Sequence, residues 1–569
     1  MHMPTTTSRS TMTIGDFLLR RLREAGISHL FGVAGDFNLE FLLQMEDGNE
    51  LMWVGNCNEL NAAYAADGYA RLNGISGLIV TNGVGALSAI NGVAGAYSEY
   101  VPVVCVCGSL PLKSLDRNLL MHHTSGDTEY DAVLQAYTPF TVAQTRLTPQ
   151  NAVAEIDRLI LTAWQLKRPV YMELPSDIAY LHVEVPAEPL DLVIPPSDSE
   201  RLSTCADEIV ARLTSARSPA ILADIDADRF GVVGEIQELA VKLLSPIAAI
   251  NTSKGVIDET SPHYVGLYVG AASAPEVRKA VEGSDCLLAI GVRRVDTTSG
   301  GFTAALPADR IDVRGDAVDI GPDNYQAVYL KELLGRVVDR LPCREQPAPR
   351  AYAAVPSSEV SVPSGPLTQA AYWNLIQGFI REGDVLIAED GTSEAGGWGL
   401  QLPPGCTFVT QAIWGSIGYT VGSVLGTLLA APERRHLLFV GDGSFQLTAQ
   451  EISTILRHDL KPIIFLINNG GYTIERVICG KDSHFNDIAN WAYADLPKVL
   501  HPGTTARTFV VRTAAELQAA LAAPHDGMIF IESVMDKYDA PQPAIGAGRG
   551  MAEVDYGPRG PQRRPGVQI

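Results

Sequence analysis

Apolar residues in this 569-residue chain fall into short runs, each closed by a polar, glycine-rich turn. The stretch 436–475, HLLFVGDGSFQLTAQEISTILRHDLKPIIFLINNGGYTIE, shows the pattern most clearly. The run Leu437 to Val440 stops at Gly441-Asp442-Gly443. Apolar positions then recur at Leu447, Ile452, Ile455 and Leu456, which predicts a helix. A second run, Ile463 to Ile467, stops at Asn468-Asn469-Gly470-Gly471. Strand, helix, strand follows from this spacing. A right-handed crossover puts both turns at one end of a parallel sheet. Open α/β sheets bind their ligands at that end.

The same alternation runs through the chain. Thr13 to Gly26 reads as an amphipathic helix, and His29–Val33, Met52–Gly55, Gly77–Thr81 and Pro102–Gly108 read as strands. Residues 183–200 and 344–366 are proline-rich and read as linkers. They divide the chain into α/β domains over 1–182, 201–343 and 367–541, each expected to hold a doubly wound parallel sheet. The middle domain gathers few titratable residues at its strand ends, Ala220–Ala223 and Cys286–Gly291, and is expected to be supporting. Residues 542–569 are rich in Gly, Pro and Arg and are expected to be irregular.

Composition narrows the partners. The hydrophobic share is 46% and the charged share 19%, an ordinary globular balance. A net charge of −22 argues against nucleic acid or an anionic membrane surface. No apolar run approaches a membrane span, and the N-terminus has no apolar signal core, so a cytoplasmic protein is expected. Met12 is a second candidate start. The eight cysteines are scattered, and Cys105-x-Cys107 sits in an apolar run without a second ligand cluster, so buried free thiols are expected.

The two turns of 436–475 carry a consistent chemistry. Asp442 offers a carboxylate oxygen, Asn469 an amide oxygen, and the loop glycines offer carbonyls. A hard cation such as Mg2+ takes oxygen ligands of this kind together with phosphate. Gly443 and Ser444 open the following helix, where free N–H groups suit a phosphate. Elsewhere, Gly83-x-Gly85 imitates a dinucleotide fingerprint, but Ser88 holds the third glycine position, which leaves an NAD reading weak.

GDG followed by NN at this distance resembles the diphosphate anchor of thiamine diphosphate enzymes. The continuation GGYTIERVICG and FNDIANW is similar to the pyruvate, indolepyruvate and branched-chain 2-oxo acid decarboxylases, and the resemblance spans about Met12 to Pro541. It implies a pyrimidine-binding, a central and a diphosphate-binding domain. It also implies a homodimer or dimer of dimers (a homotetramer), with active sites between subunits. Thiamine diphosphate and Mg2+ are the implied cofactors. Asp442, Asn469 and the Gly471 carbonyl would hold the metal. Gly391, Thr392, Ser393, Gly443, Ser444, Tyr472 and Thr473 would join the cofactor site, with Gly415 accepting from the 4′-nitrogen.

Roles follow residue by residue. A glutamate at a helix start, as Glu59 is, ordinarily serves the helix dipole. In Asn58-Glu59-Leu60-Asn61-Ala62 it matches the glutamate that activates the cofactor through N1′. Ile417 is read as a core isoleucine and, by resemblance, as the wedge that bends the cofactor. Asp36 in GDFN, His122 and His123 in MHHTSG, and Glu475 in GYTIE match the family's protonic set. The implied reaction is non-oxidative loss of carbon dioxide through a ylide and an enamine, releasing an aldehyde. An acyloin-forming carboligase, a catalytically dead scaffold and an NAD oxidoreductase are the rivals.

A substrate pocket of Asp390, Glu394, Ala395, Thr297, Ile474 and Ile478 is implied as well. Relatives carry aromatic residues where Glu394 and Ala395 stand. Glu394 either pairs with a cationic or polar substrate side chain, or faces solvent or an arginine. The tail also lacks the apolar helix that lids the site in relatives.

Overall fold

The computed structural model describes residues 9–47, 51–344 and 365–563. Eight strands come from the first part of the chain: β1 (Arg9–Thr13), β2 (His29–Gly32), β3 (Met52–Gly55), β4 (Ser76–Thr81), β5 (Val103–Ser109), β6 (Gln144–Arg146), β7 (Val170–Pro175) and β8 (His182–Pro186). Six form a parallel sheet in the order β3-β2-β4-β5-β7-β6. β1 and β8 pair antiparallel beside it, so the linker expected from 183 begins as a strand. β4, β5 and β7 are buried on both faces. That is why they read as unbroken apolar runs rather than alternating ones.

The middle strands are β9 (Pro219–Ala223), β10 (Ile247–Ala249), β11 (Tyr264–Leu267), β12 (Cys286–Ile290), β13 (Ile311–Val313), β14 (Ala317–Ile320) and β15 (Asp323–Gln326). Their order is β11-β10-β9-β12-β13-β14-β15. This sheet is mixed rather than parallel throughout, because β13, β14 and β15 meander back antiparallel. Titratable groups do gather at its strand ends, contrary to expectation. Arg293 Nη2 pairs with Asp226 at 3.0 Å, and its backbone N–H donates to Asp224 at 2.9 Å. The three groups satisfy one another, which is a structural closure and not an open site.

The last sheet is parallel, with β16 (Val385–Ala388), β17 (Thr407–Val409), β18 (His436–Gly441), β19 (Ile463–Asn468), β20 (Arg507–Val511) and β21 (Ile529–Val534) in the order β17-β16-β18-β19-β21-β20. The linker expected over 344–366 falls almost wholly outside the described residues. The fold class is α/β, with three sheets covered by helices.

The chain packs as two compact units. The first joins residues up to 194 with 421–433 and 448–458; the second joins 195–420, 434–447 and 459 onward. The helix expected after Gly443 is interrupted to allow this. It runs Asp442–Thr448, gives way to a 3-10 turn over Ala449–Glu451, and resumes as Ile452–Arg457. Leu447, expected on the apolar face, is 51% exposed as a result. No helix among the described residues is long and apolar enough to cross a membrane.

Candidate active site

The chain passes from β16 to β17 on one side and then places β18 on the other. That reversal is the switch point where open sheets bind ligands. The carboxyl ends of β16, β18 and β19 are neighbours there. They carry Asp390, Asp442 and Asn469.

Asp442 Oδ2 accepts from the N–H of Gly470 at 2.7 Å and of Gly471 at 3.2 Å, and Oδ1 from Gly443 at 2.8 Å. Burial nevertheless pushes its carboxyl up to about 6. Asn469 turns its side-chain oxygen onto two other oxygens, the Gly471 carbonyl at 2.9 Å and Asp442 Oδ1 at 3.2 Å. Turned over, the amide would donate to both. Neighbouring oxygens on one octahedral dication stand about 2.9 Å apart, from bonds of about 2.05 Å. With its oxygen turned this way, Asn469 stands at about that spacing from each of the other two oxygens. Gly471 sits at φ 134°, and a Cβ there would stand 1.9 Å from the Asn486 carbonyl oxygen. Only glycine can present this carbonyl. The Tyr472 ring covers Gly443, and Ser444 and Thr473 are buried nearby; the Thr473 hydroxyl donates to the Lys537 carbonyl at 3.0 Å.

A second cluster surrounds the turn after β16. Gly391 leads into a short helix, Thr392–Gly397, with Thr392, Ser393, Glu394 and Ala395 all buried. Glu389 accepts from Thr420 Oγ1 at 2.5 Å and from the Thr420 N–H at 3.4 Å, which ties β16 to the loop bearing Gly415 and Ile417. Ile417 is only partly buried, so it is not a core residue. Gly415 lies against Asp390, where a Cβ would stand 3.1 Å from Oδ2. Burial raises Glu389 to about 7 and Asp390 to about 6, the latter helped by the charge of Glu475. Thr297 spends its hydroxyl on the Ala412 carbonyl at 2.7 Å, so it props this loop rather than offering a free donor.

The expectation that Glu394 faces solvent or an arginine fails. The residue is 2% exposed and meets no arginine; its Oε1 accepts from Asn251 Nδ2 at 3.3 Å and Trp398 Nε1 at 3.2 Å. Burial, then the charge of Asp390, pushes it up to about 8, with a hydrogen bond from Thr410 opposing. Burial of this kind favours the protonated form. Sequence reasoning missed Asn251, Trp398 and Thr410 because nothing local joins them to residue 394.

The tail is also corrected. Residues Gln542–Tyr556 form a helix, not an irregular segment, and it packs on the helices Thr473–Ile478 and Thr392–Gly397. Its glycines read as breakers but serve close approach: a Cβ on Gly548 would stand 2.7 Å from Val477 Cγ1 and 3.5 Å from Ile478 Cγ1. A C-terminal cover over these elements therefore exists, built from Ala and Gly instead of large apolar residues. Ile474 faces Gly391. Glu475 is open to solvent in the single chain, yet surrounding protein and then Asp555 on the tail helix raise its carboxyl.

The first unit holds the other set. β2 and β4 flank its switch point, and the loops after them carry Asp36 and Gly83. His122 Nε2 lies 2.7 Å from Asp36 Oδ2, and His123 Nε2 3.8 Å from Asp36 Oδ1. The two imidazoles are 4.6 Å apart, and Phe37 stacks on His122. His123 adopts φ 59°, and Asn82 Nδ2 donates to its carbonyl at 3.2 Å. Two donors on one tetrahedral zinc stand about 3.3 Å apart. The 2.7 Å contact is thus a hydrogen bond, although the trio is compact enough to hold a metal.

Glu59 opens the helix Glu59–Asn73, capped by Asn58, whose side chain accepts from the Asn61 N–H at 2.8 Å. It is partly buried, and a Cβ on Gly85 would stand 3.1 Å from its Oε1. The Gly83 loop that imitates a dinucleotide fingerprint is thus occupied by Glu59. Glu475 belongs to the second unit and so is not grouped with Asp36, His122 and His123. The cysteines are free thiols, Cys105 and Cys107 buried as expected.

Comparison with known proteins places this geometry in a family. Residues 12–130 match the thiamine pyrophosphate enzyme N-terminal TPP binding domain, 206–341 the central domain and 391–533 the C-terminal TPP binding domain. A pyruvate decarboxylase of Aspergillus terreus is 40% identical over 540 residues, covering 93% of this chain and 95% of that protein. Pyruvate decarboxylase isozyme 2 of Saccharomyces cerevisiae is 40% identical over 499 residues, 86% of this chain and 88% of its own. An alpha-keto-acid decarboxylase of Mycolicibacterium paratuberculosis is 39% identical over 540 residues, 93% and 95%. Anchor turns, three sheets and near full-length identity agree: the chain belongs to the thiamine pyrophosphate enzymes, in the group of the pyruvate and alpha-keto-acid decarboxylases.

Proposed function

We infer that this protein converts a 2-oxo acid to an aldehyde and carbon dioxide without oxidation, using thiamine diphosphate and Mg2+. The observation that carries the reading is the convergence of three oxygens, from Asp442, Asn469 and Gly471, on adjacent strand tips. Their spacing suits Mg2+. Bound thiamine diphosphate supplies the electron sink for carbon dioxide loss.

The remaining work falls to side chains. Gly443 and Ser444, with Gly391, Thr392, Ser393, Tyr472 and Thr473, cradle the diphosphate side. The Gly415 carbonyl and the Ile417 side chain fix the ring end, which is positional catalysis. Glu59 would be the carboxylate that holds a proton toward the aminopyrimidine of the bound cofactor. Asp36, His122, His123 and Glu475 deliver the proton that replaces carbon dioxide and collect one as the aldehyde leaves. Asp390, pushed up to about 6 by burial, joins Glu475 as a second carboxyl raised above its ordinary value. The two sets come together between subunits of a homodimer or dimer of dimers, in the cytoplasm.

The test is aldehyde release from pyruvate, 2-oxoisovalerate, phenylpyruvate, indolepyruvate and a cationic 2-oxo acid, with both cofactors present. Release from at least one is expected. Cofactor binding without aldehyde from any of them would sink the decarboxylase reading. Acyloin from pyruvate plus an acceptor aldehyde, in place of free aldehyde, would favour a carboligase.

A further inference from the structure

Glu451 is fully buried at the break in the helix that follows Asp442. Its Oε1 accepts from Asn56 Nδ2 at 2.8 Å. Its Oε2 accepts from the Cys57 N–H at 3.2 Å and from Asn61 Nδ2 at 2.8 Å. These donors stand on both sides of Glu59. The same segment adds more ties. Cys57 Sγ reaches the Gln450 carbonyl at 3.2 Å and Ser453 Oγ at 3.2 Å, and Arg457 Nη2 donates to the Gly55 carbonyl at 2.7 Å. The turn between β3 and Glu59 is therefore held from outside by residues 450–457, all within the first unit.

The chemistry of the contact is selective. Three donors from two directions need a side chain that only accepts, and an ionised carboxylate is one. Charged acceptors make the stronger bonds that offset the cost of burial. A glutamine keeps one oxygen and turns an NH2 toward a donor. Glu59 takes no part in the network, so its carboxylate stays free to act while its backbone is fixed.

Resting on the role given to Glu59 above, we propose that Glu451 is a positioning residue for cofactor activation: it locks the turn and first helical turn that aim Glu59. It touches neither substrate nor cofactor. A misplacement of about 1 Å is enough to cost about a hundredfold in a positioned step.

The experiment compares Glu451→Gln, the double variant Asn56→Ala/Asn61→Ala, and Glu59→Gln. Three quantities are read: deuterium exchange at C2 of the bound cofactor in the holoenzyme, amide exchange over residues 55–61 in the apoenzyme, and the half-saturating cofactor concentration. Glu451→Gln and the double variant should slow C2 exchange by about tenfold or more. Both should speed amide exchange over 55–61, with half-saturation within about threefold of the parent. The double variant leaves Glu451 in place and carries the test if Glu451→Gln does not fold. Parental C2 exchange in the variants, with Glu59→Gln silent, overturns this proposal alone. Parental exchange in Glu59→Gln overturns the role of Glu59 and this proposal with it.

Discussion

Asn251 Nδ2 donates to Glu394 Oε1 at 3.3 Å, deep inside the second unit and across 143 residues of chain. The bond joins the loop after β10 to the short helix that begins at the Gly391 turn. Lys254, three residues beyond Asn251, is also buried; it pairs with Glu259 at 2.9 Å and donates to the Leu400 carbonyl at 2.7 Å. Glu259 in turn accepts from the Leu402 N–H at 2.9 Å. Residues after β10 thus grip both ends of the segment 394–402, next to the Gly391 turn.

Glu394→Gln tests the protonation of this contact. Burial raises Glu394 from 4.5 to about 8. An acid whose folded pKa is raised contributes stability that is whole below its unfolded value and lost as pH rises through the folded one. The parent should therefore lose melting temperature between pH 5 and 9. The glutamine variant, neutral throughout, should lose less. Near pH 5 the two should agree within about 1 kcal/mol. Equal pH dependence would show that Glu394 is ionised in the fold, and a fall in the variant's preference for a cationic 2-oxo acid would restore its pairing with substrate.

Gly471→Ala addresses the metal face. The added Cβ would stand 1.9 Å from the Asn486 oxygen, at a φ of 134° that alanine resists. The loop must shift, at a cost of about 1–3 kcal/mol. Its carbonyl then leaves the set formed with Asp442 and Asn469. Half-saturating Mg2+, followed by cofactor binding, should rise by about tenfold or more, since about 1.4 kcal/mol is a factor of ten. Unchanged Mg2+ demand would remove Gly471 from the metal's ligands.

How much could be read in advance depended on how local the cause was. β16 was legible to the residue, and β18 and β19 nearly so, because a parallel strand buried on both faces is an unbroken apolar run. The turns at Asp442 and Asn469 were legible because each follows such a run directly. Glu451 was not. Nothing around it marks a helix that breaks so that one carboxylate can reach Asn56 and Asn61 nearly 400 positions earlier. The burial of Glu394 was not legible because exposure or an arginine is the usual fate of a glutamate, while its partners Asn251 and Thr410 lie far from it in the chain. The antiparallel return of β14 and β15 rests on four-residue strands, the second of them polar and mostly exposed.

The tail misled for a different reason, and Gly548→Val turns that reason into a test. Gly and Pro were taken as signs of irregular chain. Yet Pro543 stands in the first turn of the helix Gln542–Tyr556, where a missing N–H costs nothing, and Ala544, Gly548 and Ala552 form its buried stripe. A valine at 548 would drive its Cβ to 2.7 Å from Val477 Cγ1, on the helix that carries Ile474 and Glu475. Overpacking of this kind costs about 1–3 kcal/mol locally. The variant should show faster amide exchange over 473–478 and 542–556. It should also show lower kcat/KM, while cofactor half-saturation stays near the parent because Asp442 and Asn469 are untouched. Removal of 542–569 should do the same more severely. Full kcat/KM in the truncated protein would mean that the helix covers the pocket elements without serving the reaction.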